Sequence, residues 1–307
     1  MREYYKRQGG AVVSFAIDKY VYVCVNPKFD GKTRVSYSRT EIVDNVDDLQ
    51  HDLIREAIKT FRMTGLEIAT ISDIPGEGTG LGSSSAMLVG LLTALSKLDQ
   101  GRPFSPSILA EEAYTIEEKI CRHPVGKQDQ YASAYGSFHF FKFHPAETVS
   151  AEPIFLPPAQ KKYFEGHLLL LWTGKTRSAN TILAEQKDNL KERDMIFAMN
   201  EMVTLAENMR ADLQSGYFGN VGKYLAENWK EKRKLATGIS DGEIDHIYKL
   251  GLRAGADGGK LCGAGGGGFF LFWAEPQHHS AIVNATGLRQ VDIHIEETGS
   301  KVIYEQT

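Results

Sequence analysis

The sequence predicts an α+β protein of two domains, and three observations carry that prediction. The first half mixes antiparallel strand signals with helical stretches instead of alternating them regularly. Two glycine-rich runs, 76–82 and 263–268, each stand beside a strand-like segment, so each domain has its own turn of special backbone. The 307 residues leave room for a sizeable core, and the Pro-rich stretch Ala151 to Pro158 is the best boundary, giving domains 1–155 and 156–307.

Taken in order, Ala11 to Val25 is rich in β-branched and aromatic residues, and Asp30-Gly31 separates it from Thr33 to Ser38, which predicts a β-hairpin. Asp47 to Met63 has helical spacing, Leu66 to Ile74 reads as a strand, and Met87 to Leu98 as an apolar helix. Ser105-Pro106 supplies an N-cap with proline at the first helical position, opening a helix to Cys121. Ser137 to Phe143 is strand-like, and the leucine run His167 to Trp172 reads as a short buried strand. Helical spacing then continues to Leu213 and resumes from Asn220 to Leu235, and Ser240 with Glu243 forms a capping box for a helix ending near Gly255. An apolar strand Phe269 to Trp273, a helix from Gln277, an alternating strand Val291 to Ile295 and a closing strand Val302 to Tyr304 complete the expectation.

Composition narrows the function. A 42% hydrophobic and 24% charged content is that of an ordinary globular protein, and a net charge of −4 argues against a broad nucleic-acid footprint or a polybasic membrane patch. Small-molecule chemistry is expected instead, with a homodimer as the candidate assembly. The three cysteines, Cys24, Cys121 and Cys262, lie far apart, so neither a disulfide framework nor a zinc site is expected, and reduced thiols in a cytoplasmic protein are. Met1 to Arg7 is polar with no apolar signal core behind it, and no stretch approaches the length of a membrane-spanning helix.

The chemistry begins at Pro75-Gly76-Glu77-Gly78-Thr79-Gly80-Leu81-Gly82-Ser83-Ser84-Ser85-Ala86. Glycine at every second position, Gly76, Gly78, Gly80 and Gly82, removes the Cβ atoms that would hold a ligand off the main chain and permits φ > 0, so successive N–H groups can converge on an anion. Ser83, Ser84 and Ser85 then open a helix whose dipole favours negative charge, and their hydroxyls can cap it, bind phosphate oxygen or ligate a metal. The P-loop pattern fails because no lysine follows the glycines, and G-x-G-x-x-G fails at Leu81 and Ser85. A simple turn before a buried helix needs one or two glycines, not this register. On the later helix, the apolar stripe is Leu109, Ala113, Ile116 and Ile120; Glu118 points almost opposite it, while Glu117 lies on its flank and can look into a cleft.

The glycine-serine stretch resembles the second signature of the GHMP small-molecule kinases, such as galactokinase, homoserine kinase, mevalonate kinase and phosphomevalonate kinase. That resemblance implies that Gly76, Gly78, Gly80, Leu81, Gly82, Ser83, Ser84 and Ser85 wrap the phosphates of ATP and that Ser84 contacts Mg²⁺. Pro124-Val125-Gly126-Lys127-Gln128-Asp129-Gln130 is similar to a family segment whose aspartate faces the acceptor hydroxyl, which maps to Asp129 and puts the family's metal-binding glutamate on Glu117. Asp129 as an Asx-turn residue is the structural alternative, and His123 reads as a loop residue. Leu261 to Gly268 resembles the third signature, implying nucleotide contacts at Gly263, Gly265 and Gly266. Thr173 to Asn180 is similar to a T-G-x-x-R-S-A segment of members that act on heptose phosphate, making Lys175 and Arg177 candidate substrate contacts; basic residues on an exposed turn are the alternative.

Together the motifs imply transfer of the γ-phosphate of ATP, with Mg²⁺, to a sugar hydroxyl, and D-glycero-D-manno-heptose 7-phosphate as the expected acceptor. A fucose- or galactose-type acceptor and a nucleotide-binding sensor with little catalysis are the alternatives. The family's first signature, a strand with a basic residue followed by a glycine-rich turn and an acidic residue, is not found ahead of Glu3 to Lys19. A chain truncated relative to the working enzyme, with impaired sugar turnover and intact ATP binding, is therefore expected; the alternative is that Lys127 or Arg122 replaces the missing charge.

Overall fold

The computed structural model of the chain describes residues 1–76, 78–99 and 104–305. The elements run α1 (Arg2–Gln8), β1 (Gly10–Phe15), β2 (Val21–Pro27), β3 (Thr33–Ser36), β4 (Thr40–Val43), α2 (Asp52–Thr60), β5 (Leu66–Ser72), α3 (Ser83–Leu98), α4 (Pro106–Tyr114), α5 (Gln128–Tyr135), β6 (Phe138–Phe143) and β7 (Val149–Pro153). They continue with α6 (Pro158–His167), β8 (Leu168–Trp172), α7 (Ala179–Asn189), α8 (Arg193–Ser215), α9 (Val221–Lys232), α10 (Gly242–Arg253), β9 (Ala256–Leu261), β10 (Phe269–Ala274), α11 (His279–Thr286) and β11 (Arg289–Val291). This is the α+β mixture expected. Among the described residues no helix is long and apolar enough to cross a membrane.

The chain divides into two compact units, each discontinuous in sequence. The first gathers Met1–Phe15, the short stretch 78–81 and Phe138–Ile295. It contains a sheet of order β1-β6-β7 and a second of order β11-β8-β10-β9. Its core is aromatic and aliphatic: Trp229 of α9, Phe270 and Phe272 of β10 and Leu169 and Leu171 of β8 are buried together with Ile244 and Ile247 of α10. The second unit comprises Ala16–Gly76, Gly82–Ser137 and 296–305, built on a sheet of order β2-β5-β3-β4. Ile54 and Ile58 of α2, Leu88, Leu91, Leu92 and Leu95 of α3 and Ala110 and Tyr114 of α4 are fully buried there, so the apolar helical spacing is spent on one core.

The single division expected at residue 155 differs from these units, because β1 pairs antiparallel with β6 from Gly10↔Phe143 to Phe15↔Phe138 and so joins the first strand to the chain that follows Ser137. The expected hairpin is overturned as well. β2 pairs antiparallel with β5, β3 pairs parallel with β5, and β5 therefore lies between the two strands that Asp30-Gly31 separates. The Lys28 N–H donates to the Gly65 carbonyl at 2.6 Å, which sends the chain past β5 before it turns. Residues Arg2–Gln8 form a helix with Tyr4 and Tyr5 buried.

Ser105 caps α4 as expected, accepting from the Ile108 N–H, and the helix runs on through a wider turn at Thr115–Ile120. The capping box is shifted by one residue. Asp241, not Ser240, accepts from the Glu243 and Ile244 N–H groups, while the Ser240 hydroxyl donates to Asp245 at 2.6 Å. The strand expected at Val291 to Ile295 is only Arg289–Val291, paired with β8, and Val302 to Tyr304 forms no strand and lies exposed. Alternation along Val291 to Ile295 reflects burial of Ile293 and Ile295 without a ladder, whereas Val302 to Tyr304 buries no face.

Candidate active site

In the first unit, the stretch 78–81 meets two distant segments, and backbone does most of the work. Gly80 has φ +78° and Gly263 has φ +64°; a Cβ on Gly80 would stand 2.6 Å from the Cys262 carbonyl oxygen, and one on Gly263 only 2.2 Å from the Gly80 Cα. No side chain fits there, so the two main chains lie directly on each other. A Cβ on Gly78 would likewise meet the backbone of Arg177, which brings the Thr173 to Asn180 segment into the same cradle. The Gly268 N–H donates to the Lys175 carbonyl at 2.8 Å, and the Gly266 N–H to that of Ile239 at 2.9 Å. Lys175 forms an ion pair with Glu243, and Arg177 lies 3.9 Å from Asp241; all four side chains are well exposed.

In the second unit, α3 begins at Ser83 with Gly82 as its N-cap in the left-handed region, and no side chain caps it. The serine hydroxyls do not cap their own helix, so none of them meets the positive end of its dipole. Ser83 and Ser85 are buried and Ser84 is exposed. Asp129 sits in the first turn of α5, not in a loop, and a Cβ on Gly82 would stand 3.3 Å from its Cβ. The carboxylate is thus packed against the start of α3.

Beside it lies Glu117, 3% exposed, while Glu118 is half-buried, as the helical wheel predicts. Oε2 of Glu117 accepts from the Gln130 Nε2 at 2.7 Å and from the Ser85 hydroxyl at 3.3 Å. Burial pushes the Glu117 carboxyl above its ordinary value; the Gln130 amide opposes that, and nearby Asp129 adds to it. A buried carboxylate in the field of another favours a cation. Oxygen donors of this kind suit Mg²⁺, so the residues present fit the metal the resemblance implies. Ser85, rather than Ser84, hydrogen-bonds Glu117 directly.

Residues 51–137 match the family model described as GHMP kinases N terminal domain, and residues 209–286 the one described as GHMP kinases C terminal, together more than half of the chain. The chain belongs to the GHMP kinase family. Members of this family are phosphotransferases that use ATP as the phosphate donor. This GHMP kinase is similar to a D-glycero-alpha-D-manno-heptose 7-phosphate kinase of Campylobacter jejuni, 28% identical over 295 residues that make up 92% of this chain and 86% of that protein. It also resembles a solved structure described as a putative sugar kinase from Campylobacter jejuni, with TM-score 0.74 and 26% identity over 94% of this chain and 88% of that one. A D-glycero-D-manno-heptose 1-phosphate kinase from Bacteriodes thetaiotaomicron has the same fold, with TM-score 0.77, 23% identity and coverage of 98% and 93%.

Lys127 and Arg122 stand in different surroundings, and Lys232 and Gln130 were not singled out from the sequence. Lys127 is buried, its ammonium 2.5 Å from Glu111 and 5.0 Å from the centre of the Tyr114 ring, and Tyr131 donates to the same Glu111 oxygen at 2.6 Å. That cation is committed to holding α4 against α5, which is a different role from supplying a missing charge. Arg122 is exposed, with φ +60°. The buried Lys232 donates to the Gly263 carbonyl and so braces the cradle from α9. Gln130 adjoined Asp129 in the sequence; its contact with Glu117 could have been sought by asking which amide stood within reach of that carboxylate.

Proposed function

We propose that this GHMP kinase transfers the γ-phosphoryl group of ATP to a hydroxyl of D-glycero-D-manno-heptose 7-phosphate, giving the 1,7-bisphosphate. The observation that carries the reaction type is the packing of Asp129 against Gly82 at the uncapped start of α3, with the Glu117 and Ser85 pair in the same unit. A phosphate bound by the helix start then lies in reach of a carboxylate able to orient an attacking hydroxyl. The acceptor rests on the heptose 7-phosphate kinase relative and on Thr173-Gly174-Lys175-Thr176-Arg177-Ser178-Ala179.

Phosphoryl transfer requires positioning and charge neutralisation more than covalent chemistry. Glu117 with Ser84 would hold Mg²⁺, which would supply the charge neutralisation that the transfer needs. The main-chain N–H groups of the first turn of α3 bind nucleotide phosphate, and the glycine cradle is the nucleotide-binding element of the first unit. Asp129 orients the acceptor hydroxyl and takes its proton on a carboxylate oxygen. Lys175 and Arg177 contact a substrate phosphate; their present partners are exposed acids, and such pairs are worth at most about 1 kcal/mol, so an anion can displace them.

ADP release measured across heptose phosphates, fucose, galactose and mevalonate tests the proposal. Turnover highest with the heptose 7-phosphate supports it, and a higher kcat/KM for any other acceptor replaces that substrate. Tight Mg·ATP binding without transfer to any member of the panel would make the protein a nucleotide sensor.

A further inference from the structure

We propose that Gln130 is a positioning residue of the Mg²⁺ site, gripping Glu117 through Nε2 and accepting, through Oε1, a hydrogen bond from a water of the metal's hydration shell. The inference rests on the kinase reading above. Gln130 is 1% exposed and follows Asp129 in the first turn of α5. Its Nε2 lies 2.7 Å from Glu117 Oε2. An ionised carboxylate only accepts hydrogen bonds, so the NH₂ end of the amide must face Glu117 and the carbonyl end must face away. That carbonyl oxygen is buried and has no hydrogen-bond partner among the described residues.

Buried acceptors are rarely left unmet, and this one adjoins the carboxylate that the reading assigns to the metal. Mg²⁺ keeps several waters even when protein oxygens bind it, and those waters are strong donors. A ligating carboxylate also needs a neighbour that fixes its orientation. One amide meets both needs, with the NH₂ on the ligand and the carbonyl on the hydrate. Because Gln130 and Asp129 share a helical turn, the metal's shell and the acceptor carboxylate take their position from the same backbone.

The test uses the full chain saturated with ADP, with Mn²⁺ as the probe and its unbound fraction read by electron paramagnetic resonance. Gln130→Met keeps the length of the side chain and removes both polar groups. It should weaken Mn²⁺ binding about 10- to 100-fold, the usual effect of losing such a partner. Raising the metal concentration should restore kcat, while KM for ATP at saturating metal stays near the wild-type value. Gln130→Asn, which keeps the amide, should bind Mn²⁺ more tightly than Gln130→Met and gives the comparison if the latter folds poorly. Wild-type Mn²⁺ affinity in Gln130→Met, with or without a lowered Tm, overturns the inference, since the amide would then be a packing residue with a structural water. Activity that no metal concentration restores overturns it too. If wild-type protein with ADP takes up no Mn²⁺, the kinase reading itself fails and this inference falls with it.

Discussion

The glycine cradle of the first unit and the carboxylate centre of the second are made of opposite materials. In the cradle, Gly80 and Gly263 lie main chain to main chain, and a single Cβ would have nowhere to go. In the carboxylate centre, Glu117, Gln130, Ser85 and Asp129 are side chains carried by three helical segments, with Glu117 on the wider turn at Thr115–Ile120. The lesson is that the first should be intolerant of shape and indifferent to charge, and the second the reverse.

The sharpest way to break that contrast is to add one methyl group to the cradle. Gly80→Ala or Gly263→Ala forces an L-residue into a left-handed conformation and drives a Cβ into backbone. Each should lower stability by about 3 kcal/mol and abolish measurable ADP binding. Thermal unfolding and calorimetry check this; wild-type ADP affinity in either variant would show that the cradle can yield. Asp129→Asn changes charge and almost nothing in shape. It should leave nucleotide affinity and Tm nearly unchanged and reduce kcat about 10²-fold or more. Near wild-type turnover would remove Asp129 from the reaction.

Glu117→Gln should raise the Mg²⁺ concentration needed for half-maximal activity about tenfold or more, and Glu118→Gln hardly at all. The same Glu117 variant separates stability from function. Burial raises the folded-state value of Glu117 above its unfolded one, so its penalty on the fold is present at pH above that raised value and disappears as pH falls below about 4.5. Metal-free Glu117→Gln should therefore have a higher Tm than wild type at pH 8, with the gap closing towards pH 4. A lower Tm at pH 8 would mean that the hydrogen bonds from Gln130 and Ser85 outweigh the desolvation. The smallest effect belongs to the exposed cations. Arg177→Ala and Lys175→Ala should raise one KM by about fivefold or less, consistent with solvated ion pairs. Whether the KM for ATP or for the sugar moves decides which phosphate they meet.

Much of this could be read without coordinates where the chemistry is local. Glycines at alternate positions before three serines marked the start of α3, and the same local rules predicted α4 with its Ser105 cap, β8 and β10. Rotation about one helix chose Glu117 over Glu118, because Leu109, Ala113 and Ile116 are buried as the stripe requires, although the wider turn leaves Ile120 exposed. The cap at Asp241 is missed by one residue, but the failures that change the topology are long-range. No local signal tells that β5 enters between β2 and β3, since strand pairing is chosen by the sheet as a whole. Nor does one tell that β1 belongs with β6 rather than with the strands next to it in sequence. Residue types at Gly80, Gly263, Glu117, Asp129 and Gln130 were determined by the sequence alone. Their partners were decided by tertiary structure, because a contact between residues far apart in the chain forms only when the rest of each unit has packed, and its energy belongs to that packing.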